Sequence, residues 1–239
     1  MSNKRIDLWG TSFGNIIDDN VPSASFSKYD TLVWCELNSM YCLPKFVTKC
    51  MANNIKPICG VTFRLEPPED CLIDNLVIKC YPEDEEGCEE LHILCNHCNH
   101  GVLKYEDFCK FSNHLQVGLD IVFGEVEMVV IDNILEYVFV PDFVLIDSNQ
   151  DSYRSWEHCR KILEDKNILI CGCEYSMSLK IDDEDVLRGF SFLGDKAYEY
   201  VIENPRKIVD RISGNYKFDI VLLEKKEEKL FRSHTFHCP

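Results

Sequence analysis

Short, nearly unbroken apolar runs alternate with helix-patterned segments along this sequence, and that alternation constrains its fold more than any other feature. The strand-like runs are Arg5–Leu8, Thr31–Cys35, Lys56–Phe63, Asn75–Cys80, Leu119–Phe123, Val126–Ile131, Phe143–Ile146 and Ile168–Gly172. Several are apolar at every position, as strands covered on both faces are, whereas strands wet on one face alternate. Between them, Leu43–Asn53, Glu85–Cys95, Tyr105–Asn113 and Ser152–Asp165 read as helices. Asp151 and Ser152 supply capping residues for the last, which puts Trp156, Cys159 and Leu163 on one face. Strand–helix alternation with short connections predicts an α/β fold. The tail reads differently. Asp182–Arg188 and Gly194–Ile212 read as helices, the second restarting at Pro205 with Asn204 as its cap. Residues 217–223 read as one more strand, followed by the charged run EKKEEK. This places a boundary near residue 181, between an α/β unit (1–181) and a helical segment with a basic, aromatic tail (182–239).

Composition narrows the function classes. With 46% apolar residues in 239, the chain can bury a sizeable core. Its net charge of −16 argues against a duplex-binding surface, because attraction to phosphates needs clustered Lys and Arg. The acid is concentrated: residues 66–90 hold ten Asp or Glu and a single Lys. That stretch reads as a solvated face, or more sharply as a docking surface or a mimic of nucleic-acid charge. No apolar run is long enough to span a membrane, and MSNKRIDLWG lacks the apolar stretch of a secretory signal. Many of the fourteen cysteines, among them Cys35, Cys42, Cys50, Cys59, Cys80, Cys171 and Cys173, lie within apolar runs, where free cysteine acts as a small hydrophobe. The expectation is a reduced, cytoplasmic protein, in a bacterial cell or a phage-infected host.

Three stretches are more specific. VWCELNSMYCLPKFVTKCMANNIKPICGVTF (Val33–Phe63) is a strand, a short motif, a helix and Asn-Ile-Lys-Pro-Ile-x-Gly. NLVIKCYPEDEEGCEEL (Asn75–Leu91) is a strand running into acidic residues, a Gly and a helix. RGFSFLGDKAYEYVIENPRKIVDRI (Arg188–Ile212) closes the series. In this order they resemble the polymerase-and-histidinol-phosphatase (PHP) domain of bacterial C-family replicative DNA polymerases, the third stretch most closely the Gram-positive-type polymerase III α subunits. The resemblance covers roughly residues 5 to 212. It implies a distorted, seven-stranded β/α barrel with metals held at one end by His, Asp and Glu, where barrels of this kind place their chemistry.

The same resemblance implies that the metal donors are gone. In DLWGTSFGNIIDD, Trp9 and Thr11 stand where two metal-binding histidines would be. Glu36, Leu37 and Asn38 match an Asp-His-Gly, so the central His is Leu37. Thr62 matches the acidic ligand that follows the Gly, and Asn75 the His that opens the next strand. Cys173, Glu174 and Tyr175 match Asp-x-His. A Trp, a Leu and a Tyr cannot replace imidazole or carboxylate. The expectation is a metal-free, cofactor-free pseudoenzyme. The short stretch after Ile212 has no room for palm, fingers and thumb domains, so polymerisation by this chain alone is not expected.

What chemistry remains is thin. Cys95 and Cys98, with His97 and His100 beside them, have zinc-knuckle spacing but lack a second pair, so this is a weak zinc candidate. Cys173 and Cys171 lack the cationic neighbour that activates a thiolate. Three functions follow. The first is protein–protein contact in DNA replication, as an accessory subunit or partner of a C-family polymerase core or another replication protein. Candidate contact residues are Phe190, Phe192, Leu193, Arg206 and Lys207, with Phe231, Arg232 and Phe236 in the tail. The second is an inhibitor, decoy or DNA mimic acting on a host replication machinery. The third is a metal-dependent phosphoesterase or exonuclease with a relocated site drawn from Asp7, Glu36, Glu125, Asp147, Glu174, His97 and His100.

Overall fold

A computed structural model describes Ile6 and residues 29–69, 71, 73, 76–98, 100–121, 131–148, 156–173, 183–214 and 216. Within them the expected alternation forms one seven-stranded sheet. Its strands are β1 (Thr31–Leu37), β2 (Lys56–Glu66), β3 (Leu76–Pro82), β4 (Val102–Lys104), β5 (Leu115–Asp120), β6 (Phe143–Ile146) and β7 (Leu169–Gly172). Helices α1 (Leu43–Ala52), α2 (Glu85–His97), α3 (Tyr105–Lys110), α4 (Ile131–Tyr137) and α5 (Trp156–Asp165) connect them. The strand order is β1-β2-β3-β5-β6-β7, with β4 paired to the far end of β2 beyond β1. Pairing is parallel except around β3, which runs antiparallel to both β2 and β5.

Every residue of β3 and of β5 is buried, including Lys79, Gln116 and Asp120, which interrupt otherwise largely apolar strands. On the convex face, Val61, Phe63, Leu65, Ile78, Cys80, Leu119, Val144 and Ile170 pack beneath the helices in the main core. Next to it, Leu32, Trp34 and Cys59 pack against Leu43, Phe46 and Cys50 of α1. Alternate residues face inward. Val33, Ile58, Tyr81, Phe143, Leu145 and Cys171 meet in one cluster that draws on both ends of the strand order, so the sheet curls around it. Tyr81 lies over Gly60 and Phe143 over Gly118; a Cβ on Gly60 would come within 2.6 Å of the Tyr81 ring. Among the described residues β1 and β7 do not pair, so the sheet is a curled half-barrel and not the closed barrel that the resemblance implies.

Several boundaries depart from expectation. The segment read as a helix through Asn113 stops at Lys110, and β5 begins at Leu115 and ends at Asp120, where Leu119–Phe123 was the expected strand. Ile131 opens α4 instead of ending a strand. The rest of Val126–Ile131, most of Arg5–Leu8, the 217–223 strand and the Asp151–Ser152 cap lie outside the described residues.

After β7 come α6 (Asp183–Gly189), a 3₁₀ segment (Ser191–Lys196), a π-helical turn (Glu199–Glu203) and α7 (Asn204–Arg211). The expected break at Pro205 is a change of helix type: the π turn ends at Glu203 and α7 begins with Pro205 in its first turn, while the backbone stays helical through Glu203 and Asn204. Proline removes one N–H and clashes with the preceding turn, and the wider π turn just before it accommodates both defects. Asn204 is not a cap. Its side chain is buried, and Nδ2 donates to the Ile170 carbonyl of β7 at 2.9 Å. Ile208, Val209 and Ile212 join the inner cluster. Lys56 of β2 reaches across to donate to the Val209 and Ile212 carbonyls at 3.1 and 2.9 Å, capping the end of α7.

Candidate functional site

Strand alternation puts Val33 and Cys35 of β1, Thr62 of β2, Lys79 and Tyr81 of β3, and Asp120 of β5 on the concave side. Tyr81, Phe143 and α7 fill its apolar floor. Above that floor lies a polar cluster. Lys79 Nζ donates to Thr62 Oγ1 at 3.2 Å and stands 3.7 Å from Asp120 Oδ2. Cys35 Sγ and Thr62 Oγ1 are 3.2 Å apart. The Lys79 and Asp120 side chains are 5% and 1% exposed, so both charges have left water. Burial pushes the Cys35 thiol up; the Lys79 charge and hydrogen bonds from Thr62 and Tyr81 pull it back only in part.

Among the described residues, the donor set of this cluster does not fit a divalent metal. Thr62, at the position of an expected acidic ligand, offers a hydroxyl already bonded to an ammonium. Cys35 stays a neutral thiol, while metals bind the thiolate. Asp120 is the carboxylate of the cluster, and a fixed positive charge faces it. Among the described residues no three His, Cys, Asp or Glu side chains converge as a metal site would require.

The other expected positions fall in different places. Leu37 ends β1 and is 56% exposed on the rim, close in sequence to Tyr41, which is 65% exposed. Glu36 turns away to accept the Cys42 N–H with both oxygens at 3.0 Å, at the start of α1; burial raises its pKa, and these N–H bonds oppose the rise. Cys173 is buried in the inner cluster, its Sγ 3.6 Å from the Cys171 carbonyl, and burial raises the Cys171 thiol well beyond the reactive range. Trp9, Thr11, Asn75, Glu174 and Tyr175 lie outside the described residues.

The four zinc candidates do not come together as a site. His97, at the end of α2, has Nδ1 3.1 Å from Asp107 Oδ1 and packs edge-on against Phe111. His100 lies beyond the helix in a left-handed turn, φ 50°. The Cys95 thiol is pushed up to about 12 by burial first and the neighbouring Cys98 second. Of the expected contact residues, Phe190 and Leu193 are core side chains, 0% and 8% exposed, and have almost no surface left for a partner, which corrects their reading as contact residues. Phe192 is partly buried against the same core. Arg206 reaches Asp30 Oδ2 at 3.4 Å, and Lys207, exposed, donates to Asn204 Oδ1 at 2.9 Å. Phe231, Arg232 and Phe236 lie outside the described residues.

Sequence reasoning missed Lys79 and Asp120. The signal was present: a lysine inside NLVIKCY and an aspartate closing LQVGLD interrupt runs buried on both faces, where an ionised side chain needs a partner.

A curled α/β half-barrel with a polar cluster on its concave side is the class that fold and site define. No protein-family model matches the chain. It is similar to DNA polymerase III subunit alpha of Staphylococcus aureus strain MRSA252, 30% identical over 102 residues, which are 41% of this chain and 9% of the polymerase. The same subunit of strain COL is 29% identical over the same shares. The chain thus matches about a tenth of the length of these relatives.

Proposed function

We propose that this chain is a metal-free, PHP-like protein that acts in DNA replication by protein–protein contact, as an accessory subunit or partner of a C-family polymerase in the cytoplasm. The observation that carries this reading is the concave cluster, where Cys35, Thr62, Lys79 and Asp120 occupy the face on which a metal-dependent relative would need convergent acids and imidazoles. The similarity to a polymerase α subunit supplies the replication link. A scaffold without its metal chemistry retains its surfaces, and on the rim Leu37 and Tyr41 present large side chains to solvent. Pull-down with a purified C-family polymerase core tests the reading. Capture at micromolar concentration is expected, with about tenfold weakening when Leu37→Asp and Tyr41→Asp are combined, the scale of a lost interface anchor. No capture at that concentration contradicts it.

One observation favours the inhibitor or DNA-mimic reading as the alternative. Glu85, Glu86, Glu89 and Glu90 of α2 surround a surface hollow of about 620 Å³ with Asn113 and His114. The two readings part in a primer-extension assay: a decoy slows the polymerase, and an accessory subunit does not.

A further inference from the structure

We propose that the Lys79 ammonium is a resident cation of the concave face: it takes the charge-balancing place of a bound metal ion against Asp120 and keeps divalent ions out. The inference rests on the metal-free reading of that face, but it involves no partner.

Lys79 lies in a strand whose seven residues are all buried, flanked by Ile78 and Cys80, which point into the convex core. Alternation turns it alone of these three to the concave side, opposite Thr62 in the β2–β3 register. Burying an ammonium costs several kcal/mol unless a counter-charge and hydrogen bonds offset the lost hydration. Asp120, one strand over on β5, supplies the charge, and Thr62 supplies an acceptor at 3.2 Å. The three side chains come from three adjacent strands, β2, β3 and β5, so the pair fixes their register as a metal bridging them would. A divalent ion seeking Asp120 would have to settle within a few ångströms of the ammonium, an unscreened repulsion in this interior. An ammonium and a divalent ion therefore exclude one another on this face.

The test is a thermal double-mutant cycle on the full chain, with Mn²⁺ and Zn²⁺ each added in a parallel series. Lys79→Met leaves Asp120 buried without this counter-charge, and Asp120→Asn does the same to Lys79; each single change is expected to lower Tm by about 10 °C. The Lys79→Met/Asp120→Asn double variant removes both charges and is expected to recover at least half of the loss. Wild-type Tm is expected not to respond to either metal. If a single variant is too unstable to purify, a folded double variant still supports the proposal. A double variant that loses the sum of the two singles, or fails to fold, overturns it. So does a metal-induced rise in the wild-type Tm. These readouts do not depend on polymerase capture, so the failure of either proposal is recognised separately from the other.

Discussion

His114 shows how single residues respond to pH here. Its Nδ1 lies 3.1 Å from Asp84 Oδ2 and its Nε2 3.0 Å from Glu86 Oε2. The hydrogen bond to Asp84 raises its pKa above the ordinary 6.5, with the charges of Asp84, Glu86 and Glu90 adding to the rise. A raised pKa means that the folded state holds the proton more tightly. The contribution is therefore complete below the unfolded value and is lost as pH rises through the folded one. Asp84 goes the other way. The Gly87 N–H first, and His114 second, lower its pKa, so its contribution is present above the ordinary carboxylate range and lost as pH falls through the folded value. His114→Asn should lower Tm measurably near about pH 6 and hardly at all near about pH 9, read by calorimetry at the two pH values. Gly118 makes a second, pH-independent prediction. A Cβ there would strike the Phe143 ring, so Gly118→Ala should cost about 1–3 kcal/mol in urea unfolding. At this scale the sequence was only partly legible. Leu37 and Thr62 could be singled out from the motif positions of the resemblance, but not the Lys79–Asp120 pair, because residues 41 apart in sequence meet only through the β3–β5 ladder.

At the element scale β1, β2, β3, β6 and β7 were legible because their burial leaves largely apolar runs. By contrast, β4 was not read as a strand, and β5 was placed four residues late because Gln116 and Gly118 break its apolar pattern. The helical tail was also less legible. Gly194–Ile212 has helical periodicity throughout, yet Gly194 breaks the 3₁₀ segment with φ 57°, ψ −131°, and the π turn precedes Pro205. Neither event leaves a periodic signature. Asn204 was read as a cap because of its residue type; its amide instead ties α7 to β7, where tertiary contact outweighs local preference. Asn204→Ala should strand the buried Ile170 carbonyl and cost about 1–3 kcal/mol, measurable by denaturant unfolding. Tyr200 forms a second tie across the same junction, its hydroxyl donating to Glu164 Oε1 of α5 at 2.6 Å.

For the whole molecule, curl and charge act together. The curled sheet brings inward residues of β1, β2, β3, β6 and β7 into one cluster, and α7 closes it from one side. The polar cluster then lies between that apolar floor and a rim with exposed Leu37 and Tyr41. α/β character was legible from the alternation of runs; the lack of β1–β7 pairing among the described residues was not, because sheet closure depends on pairing between segments far apart in the chain. The central claim is our proposal that Lys79 balances the charge of Asp120 on the concave face and that this face takes no metal. Elemental analysis of protein purified from cells grown with added Mn²⁺ and Zn²⁺ tests it most directly. Metal well below one equivalent per chain is the result the account predicts; one or more equivalents that survive dialysis would contradict it.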